Sequence, residues 1–242
     1  MSSMKSFFIA ISLVICLHII SSLASTISHP IPYPWILTKI AGKRFKPGQK
    51  VTLKIRSPSK TTVGIDIQQG LDISSQVLVK NVKLKAGDNE VKVKLPSSGN
   101  FAKPSPEYYF VITKNRLRDR VSVSATFEIG NPGYGVTIFN PVAGNVLKAG
   151  DKVKLRWKGR FDPPGAAPSK LHSCAFGNSN MGGIYFTRNR NNFNLTIGSI
   201  YYRIPLNTIP DLYQFWCIVD TDYSHIKMYL YNSGTFQVIP KH

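Results

Sequence analysis

Lysine and arginine at alternating strand positions are the residues of this sequence best placed to do chemistry, and that chemistry is the attraction of anions. Lys50, Lys54 and Arg56 alternate with Val51, Leu53 and Ile55; Lys83 and Lys85 with Val82 and Leu84; Lys92 and Lys94 with Val91, Val93 and Leu95. Successive side chains of a strand point to opposite faces, so each basic row points away from the apolar one. On neighbouring strands the rows are expected to merge into one basic sheet surface, suited to phosphorylated or uronic-acid-bearing polymers or to anionic lipid. The competing role is solubility, because lysines on a strand edge block pairing with other chains.

Aromatic residues supply a second kind of chemistry. Twelve lie between Tyr185 and Phe236, and a tyrosine, with an apolar face and a polar tip, is suited to stacking on a sugar ring. Tyr201 and Tyr202 are the candidates for that role; adjacent on a strand, they face opposite sides, so one of the two belongs to the core. Trp157 and Phe236 fall on the apolar alternation of their strands and are assigned to packing. Asn194-Leu195-Thr196 is the sole glycosylation sequon.

Catalysis has little material. Twelve acids and five histidines in 242 residues leave no paired-carboxylate pattern and no multi-histidine metal spacing. His172, His225 and His242 are isolated, and a copper-binding histidine brace would need His29 as the first mature residue, against the better cleavage site upstream. No nucleophile elbow, phosphate loop or nucleic-acid motif is present. A non-enzymatic protein without metal or cofactor is expected, with no nucleic acid among its partners.

The elements that must position these residues follow from composition and pattern. Hydrophobic residues make up 43% of the chain and charged residues 18%, the balance of a folded protein rather than a disordered tail. Thirty-one basic residues against twelve acids give a net charge of +19, so polyanions are the expected partners. Residues 25–130 carry 18 basic and 7 acidic residues against 12 and 5 for residues 131–242, which makes the first half the better polyanion candidate.

Lys5, the apolar run Phe7 to Ile20 and the small residues of Ser22-Leu23-Ala24 read as a signal peptide, residues 1–24, cleaved after Ala24. The apolar run is short for a membrane span and no later segment could make one. The C-terminal stretch lacks the apolar tail of a lipid-anchor signal, so the mature protein is expected to be secreted and soluble. Cys16 leaves with the leader, and Cys174 and Cys217 are expected to form a disulfide in the oxidising compartment.

An internal repeat organises the rest. Ala41 to Ile55 matches Ala143 to Trp157 with seven identities at an offset of 102. Pro106-Glu107 answers Pro210-Asp211 at 104, and Ser124-Ala125-Thr126-Phe127 answers Ser233-Gly234-Thr235-Phe236 at 109. The chain is therefore read as two copies of one unit, residues 25–130 and 131–242, joined at Gly130-Asn131-Pro132-Gly133 by a turn too short for free tumbling. Period-two alternation dominates both copies, and Val82 to Leu95 reads as a hairpin around a Gly-containing loop. The expected architecture is two tandem immunoglobulin-like antiparallel β-sandwiches, without the Cys-Trp-Cys order of antibody domains.

The segment Val136 to Trp157 resembles the opening strands of the fungal Ser/Thr-rich glycosylphosphatidylinositol-anchored cell-wall family, related to the yeast cell-wall synthesis proteins of β-1,6-glucan assembly. Pro141, Gly144, Ala149, Gly150, Trp157, Tyr213 and Ser233-Gly234-Thr235-Phe236 fit its pattern. The resemblance covers nearly all of the second unit and, more weakly, the first, where Ile55 replaces the tryptophan. It implies an immunoglobulin-like unit and a non-catalytic role in the wall or matrix. A cell-wall polysaccharide or other anionic polymer is the implied partner, and the alternative is a secreted effector-like protein that binds polyanions or proteins of a host surface.

Overall fold

Alternation of apolar and polar residues is the pattern of a strand with one face buried, and it produces eighteen strands among the described residues. The first nine are β1 (Trp35–Ile36), β2 (Arg44–Phe45), β3 (Lys50–Ser57), β4 (Thr61–Gln69), β5 (Ser75–Leu84), β6 (Gly87–Lys94), β7 (Ser105–Lys114), β8 (Asp119–Val123) and β9 (Phe127–Ile129). The second nine are β10 (Tyr134–Asn140), β11 (Val146–Lys148), β12 (Lys152–Phe161), β13 (Lys170–Asn178), β14 (Gly182–Arg190), β15 (Ile197–Arg203), β16 (Asp211–Asp220), β17 (Met228–Asn232) and β18 (Phe236–Ile239). The computed structural model describes residues 33–70, 74–114, 119–161, 170–178, 182–190, 197–220 and 228–241. The proposed leader 1–24, His29, Asn194 and His225 lie outside them. The described residues belong to one unit, Ile31–His242. Among them no helix is long and apolar enough to cross a membrane.

The two sets of nine strands follow one plan. A small sheet of order β1-β3-β6 faces a larger one of order β2-β9-β7-β4-β5, in which β8 also pairs with β7. The second set repeats this as β10-β12-β15 and β11-β18-β16-β13-β14, with β17 on β16. All pairs are antiparallel except the closing pairs β2/β9 and β11/β18. This strand order makes the protein two tandem immunoglobulin-like sandwiches.

Register refines the repeat. Lys50 pairs with Lys94, and Lys152 with Arg203, so β3 and β12 match at an offset of 102 and β6 and β15 at 109. Tyr108 pairs with Phe127, and Tyr213 with Phe236, an offset of 105 for β7 and β16. Glu107 therefore corresponds to Leu212, one residue away from the Pro-acid correspondence expected from sequence.

Inward residues fill two cores. Leu53, Ile55, Ile65, Ile67, Phe110 and Phe127 lie in the first, and Leu155, Trp157, Phe176, Tyr202, Phe215 and Phe236 in the second. Trp157 sits across from Gly198, where an added Cβ would come within 2.2 Å of the indole. Glycine at 198 is what lets the largest side chain enter this sheet. Cys174 on β13 and Cys217 on β16 form the disulfide. The two are direct cross-strand partners, so the bond staples neighbouring strands of one sheet rather than the two sheets.

The segment Val82 to Leu95 is not a hairpin. Strand β5 pairs with β4 in the large sheet and β6 with β3 in the small one, so the turn between them is a corner that crosses from sheet to sheet. Asn89 closes it: its Nδ2 donates to the carbonyls of Lys85 and Gly87, and its Oδ1 accepts the Lys85 N–H. Alternation alone does not separate the two cases, because a corner and a hairpin both leave period-two strands on either side.

The two sandwiches meet through the repeated Ser-x-Thr segments. Ser124 Oγ accepts the Phe110 N–H, and Ser233 Oγ accepts the Phe215 N–H. Across the junction the Val123 N–H donates to Thr235 Oγ1, the Thr235 N–H to the Val123 carbonyl and the Thr126 N–H to the Asn232 carbonyl. Gly234, with φ of +79°, runs so close that a Cβ there would lie 2.8 Å from the Ala125 nitrogen. Tyr109, Val111 and Val123 pack with Leu230, and Trp35 with Leu212. Two buried carboxylates complete the junction. Glu128 bonds to Arg44 at 3.0 Å and to Arg160 at 2.8 Å, and Glu107 accepts the Leu230 N–H. Burial pushes the Glu107 carboxyl up to about 7, and the Leu230 hydrogen bond only partly opposes it.

Candidate polyanion-binding face

Outward positions of the small sheets carry most of the charge. On the first, Lys50, Lys54 and Arg56 of β3 and Lys92 and Lys94 of β6 are all exposed. Their cross-strand partners decide what they can do. Lys50 faces Lys94, and Thr52 faces Lys92, but Lys54 faces Glu90 and Arg56 faces Asp88. Asp88 lies 2.7 Å from Arg56 and 3.4 Å from Lys54, and the Arg56 hydrogen bond holds its carboxyl below the ordinary range. Two of the five cations are thus already engaged by an acid, and the face divides into a basic end and a compensated end.

Lys83 and Lys85 do not join this surface. They stand on β5 and just after it, on the far side of the corner. With Lys92 they rim an open cleft of about 610 Å³ whose apolar wall is Val79, Val82 and Val91, and Asp88 and Glu90 share the lining. The single continuous row of seven basic residues expected from alternation is therefore two groups on two sheets.

The corresponding face of the second sandwich is more uniform. Lys152, Lys154, Arg156 and Lys158 of β12 and Arg203 of β15 are exposed, and none of β10, β12 and β15 contains an acid. Where the first sheet places Glu90 and Asp88, this one has Ser199 opposite Arg156 and Ile197 opposite Lys158. None of the five cations makes an ion pair among the described residues; Glu128 engages only the next cation of the row, Arg160.

Rings are interleaved with these charges. Tyr201 faces Lys154 across the strands and is 54% exposed. The Lys152 and Lys154 ammonium groups stand 4.5 and 5.4 Å from its ring centroid, and the Arg156 guanidinium lies 5.0 Å from that of Phe139. Such contacts are worth roughly 0.5–1 kcal/mol at exposed sites, enough to keep the side chains lying along the sheet. Tyr202 belongs elsewhere. It is 8% exposed, tilted against Phe176 at 5.2 Å and Phe186 at 4.5 Å, and burial raises its phenol. It is a core residue at the position of Val93, so of the two tyrosines expected to offer a stacking platform only Tyr201 is exposed.

Lys152, Lys154, Arg156, Lys158 and Arg203 were not among the residues singled out from sequence, although the alternation of β12 is as regular as that of β3. The charge count per unit favoured the first sandwich. A count does not register that two acids of that unit, Asp88 and Glu90, sit on the same face as its cations.

No family model matches the chain. No curated protein matches it either. Among solved structures, it is similar to Escherichia coli α2-macroglobulin activated by porcine elastase, with a TM-score of 0.34, 11% identity and 86% of this chain aligned to 20% of that one. In the native conformation of the same E. coli protein, 88% of this chain aligns to 14% of that chain at a TM-score of 0.30 and 11% identity. A chimeric titin Z1Z2 tandem gives a TM-score of 0.25 and 13% identity over 86% of this chain and 100% of that one. The chain thus spans a small fraction of the macroglobulins it resembles. Its fold assignment rests on its own strand order.

Proposed function

We propose that this chain is a secreted, non-catalytic protein of the cell wall or extracellular matrix that binds polysaccharide through the outer face of β10, β12 and β15. The observation that carries this reading is Tyr201, a half-exposed ring bracketed by Lys152 and Lys154 on a strand face without acids. An exposed tyrosine offers a stacking platform to a sugar ring, and the lysines beside it offer hydrogen bonds and charge to its substituents. The likeness of Val136 to Trp157 to the fungal wall family supports the same assignment. These side chains stand exposed along the outer face of a sheet, an arrangement that suits a polymer passing over it better than a small molecule held inside a pocket.

The test is retention of the secreted protein on isolated wall fractions, followed by a glycan array. Enrichment on particular polysaccharides that is reduced by Tyr201→Ala supports the proposal. Retention only on proteinaceous fractions, with no sugar preference beyond charge, replaces it with the host-surface binding alternative.

A further inference from the structure

Resting on that reading, we infer that the polymer bound by the second sandwich is a linear polyuronate, with one carboxylate per sugar ring, laid along β12. Lys152, Lys154, Arg156 and Lys158 stand on one side of one strand, so their Cα atoms repeat at about 6.8 Å and the row extends for roughly 20 Å. The cations are single and evenly spaced. Lys152 and Lys154 lean together on Tyr201 of β15, but Arg156 leans the other way, onto Phe139 of β10, so the row as a whole does not gather on one point, as a site for a multiply charged phosphate or sulfate group requires. Arg203, facing Lys152 on the edge strand β15, widens one end of the row, and Tyr201 lies beside Lys154 where a sugar ring would stack.

The aromatic content also separates a sugar chain from a single-stranded nucleic acid. A sequence-tolerant nucleic-acid channel stacks successive bases on successive rings. Among the described residues of this face one ring, Tyr201, is open, and Phe139, half-buried beneath Arg156, is not a second platform. Three of the five cations are lysines, flexible point charges that follow carboxylates of variable position, where an arginine fork would fix a single geometry. The first sandwich is not a second copy of this site, because Asp88 already holds Lys54 and Arg56, and Lys92 occupies the position of Tyr201.

The experiment measures affinity of the full chain for polygalacturonate, the same polymer after carboxyl reduction, a phosphorylated mannan, neutral β-glucan and oligothymidylate. Carboxyl reduction should weaken binding at least about tenfold at low salt, and the difference should shrink as salt shortens the screening length to about 8 Å at physiological ionic strength. The variant Lys152→Gln/Lys154→Gln/Arg156→Gln/Lys158→Gln should lose a similar factor. Lys50→Gln/Lys92→Gln/Lys94→Gln should lose no more than about threefold, the part due to general charge. If the four-residue variant is unstable, the carboxyl-reduction and salt arms on the unaltered protein still decide. Equal affinity for the reduced and native polymers, or for phosphorylated mannan and polyuronate, overturns the inference while leaving polysaccharide binding in place. Tighter binding of oligothymidylate than of polyuronate also overturns it, in favour of a nucleic acid. No binding to any polysaccharide or wall fraction removes the proposed function as well.

Discussion

The two small sheets have the same strand order and the same register, yet their outer faces are chemically different. Lys50, Thr52, Lys54 and Arg56 correspond one by one to Lys152, Lys154, Arg156 and Lys158, so the central strand stays basic in both. The change is on the neighbouring edge strand. There Asp88, Glu90 and Lys92 of the first sheet become Ile197, Ser199 and Tyr201 of the second. Those positions point to solvent, so the replacements leave the cores intact while removing both acids and adding a ring. A duplicated fold can thus carry one self-compensated face and one that is short of counter-charge, with the choice made by three side chains on one strand.

The largest difference between the sandwiches should appear in stability. Only the second is stapled, by Cys174 and Cys217, separated by 43 residues, and closing a loop of that size stabilises by about 4 kcal/mol on the chain-entropy model. Cys174→Ala/Cys217→Ala should therefore lower the melting temperature of the second sandwich far more than that of the first. Both cysteines are buried in the core, so the double substitution is a cleaner probe than added reductant. Equal loss of hydrogen-exchange protection in both sandwiches would mean that the junction makes them unfold as one.

A second contrast lies between adjacent residues. Tyr202→Ala removes a buried ring and should cost roughly 3 kcal/mol or more, while Tyr201→Ala, on the exposed face, should change stability by less than about 1 kcal/mol. Sugar binding should show the reverse order, measured on variants that remain folded. A Tyr202 variant that melts like the parent would contradict its place in the core.

These pairs also mark how far the sequence could be read. The two-sandwich plan was legible because alternation and the repeated Ala-Gly and Ser-x-Thr-Phe segments are local, and so was the cysteine pair. What was not legible depended on which strand lies beside which. The corner at Asn89 left the same alternation as a hairpin, so Lys83 and Lys85 appeared to share a sheet with Lys92. Tyr202 could be excluded only by placing it on Val93, and that needs the offset of 109 for β15, set by insertions with no motif to mark them. Charge compensation was hidden for the same reason: Asp88 is 32 residues from Arg56 in the chain and becomes its neighbour only through the β3/β6 register.

The junction offers a third comparison, in the response to pH. Glu107 occupies the position of Leu212, and both are buried between the sandwiches. Glu107 titrates at about 7 when folded against an ordinary value of 4.5. Below the ordinary value both folded and unfolded chains carry the proton, and burial is not penalised. As pH rises toward the folded value the unfolded chain releases its proton first, so stability falls, by about 3 kcal/mol once both are ionised. Glu107→Gln keeps an acceptor for the Leu230 N–H and should remove this loss. The variant should gain melting temperature over the parent at pH 8 and show little gain near pH 4. An equal difference at both pH values would indicate that the carboxyl is not held in the low-dielectric junction.

The smallest effect is expected from restoring the missing symmetry of charge. Asp88→Asn releases Lys54 and Arg56, and adding Glu90→Gln removes the acid opposite Lys54, leaving the first face with five cations like the second. Asp88 is exposed, so the fold should be unaffected, because such surface ion pairs contribute little. Made in a background where Lys152, Lys154, Arg156 and Lys158 are already glutamine, the change should raise polyuronate affinity by only about twofold to fivefold, since screened surface charge alone is being added. The first face would still lack a ring at the Tyr201 position, where it has Lys92. If Lys92→Tyr on top of these changes raises affinity further although it removes a cation, stacking and charge act together. If affinity instead falls in proportion to the lost charge, the ring contributes nothing, and the second face differs from the first only in having no acids.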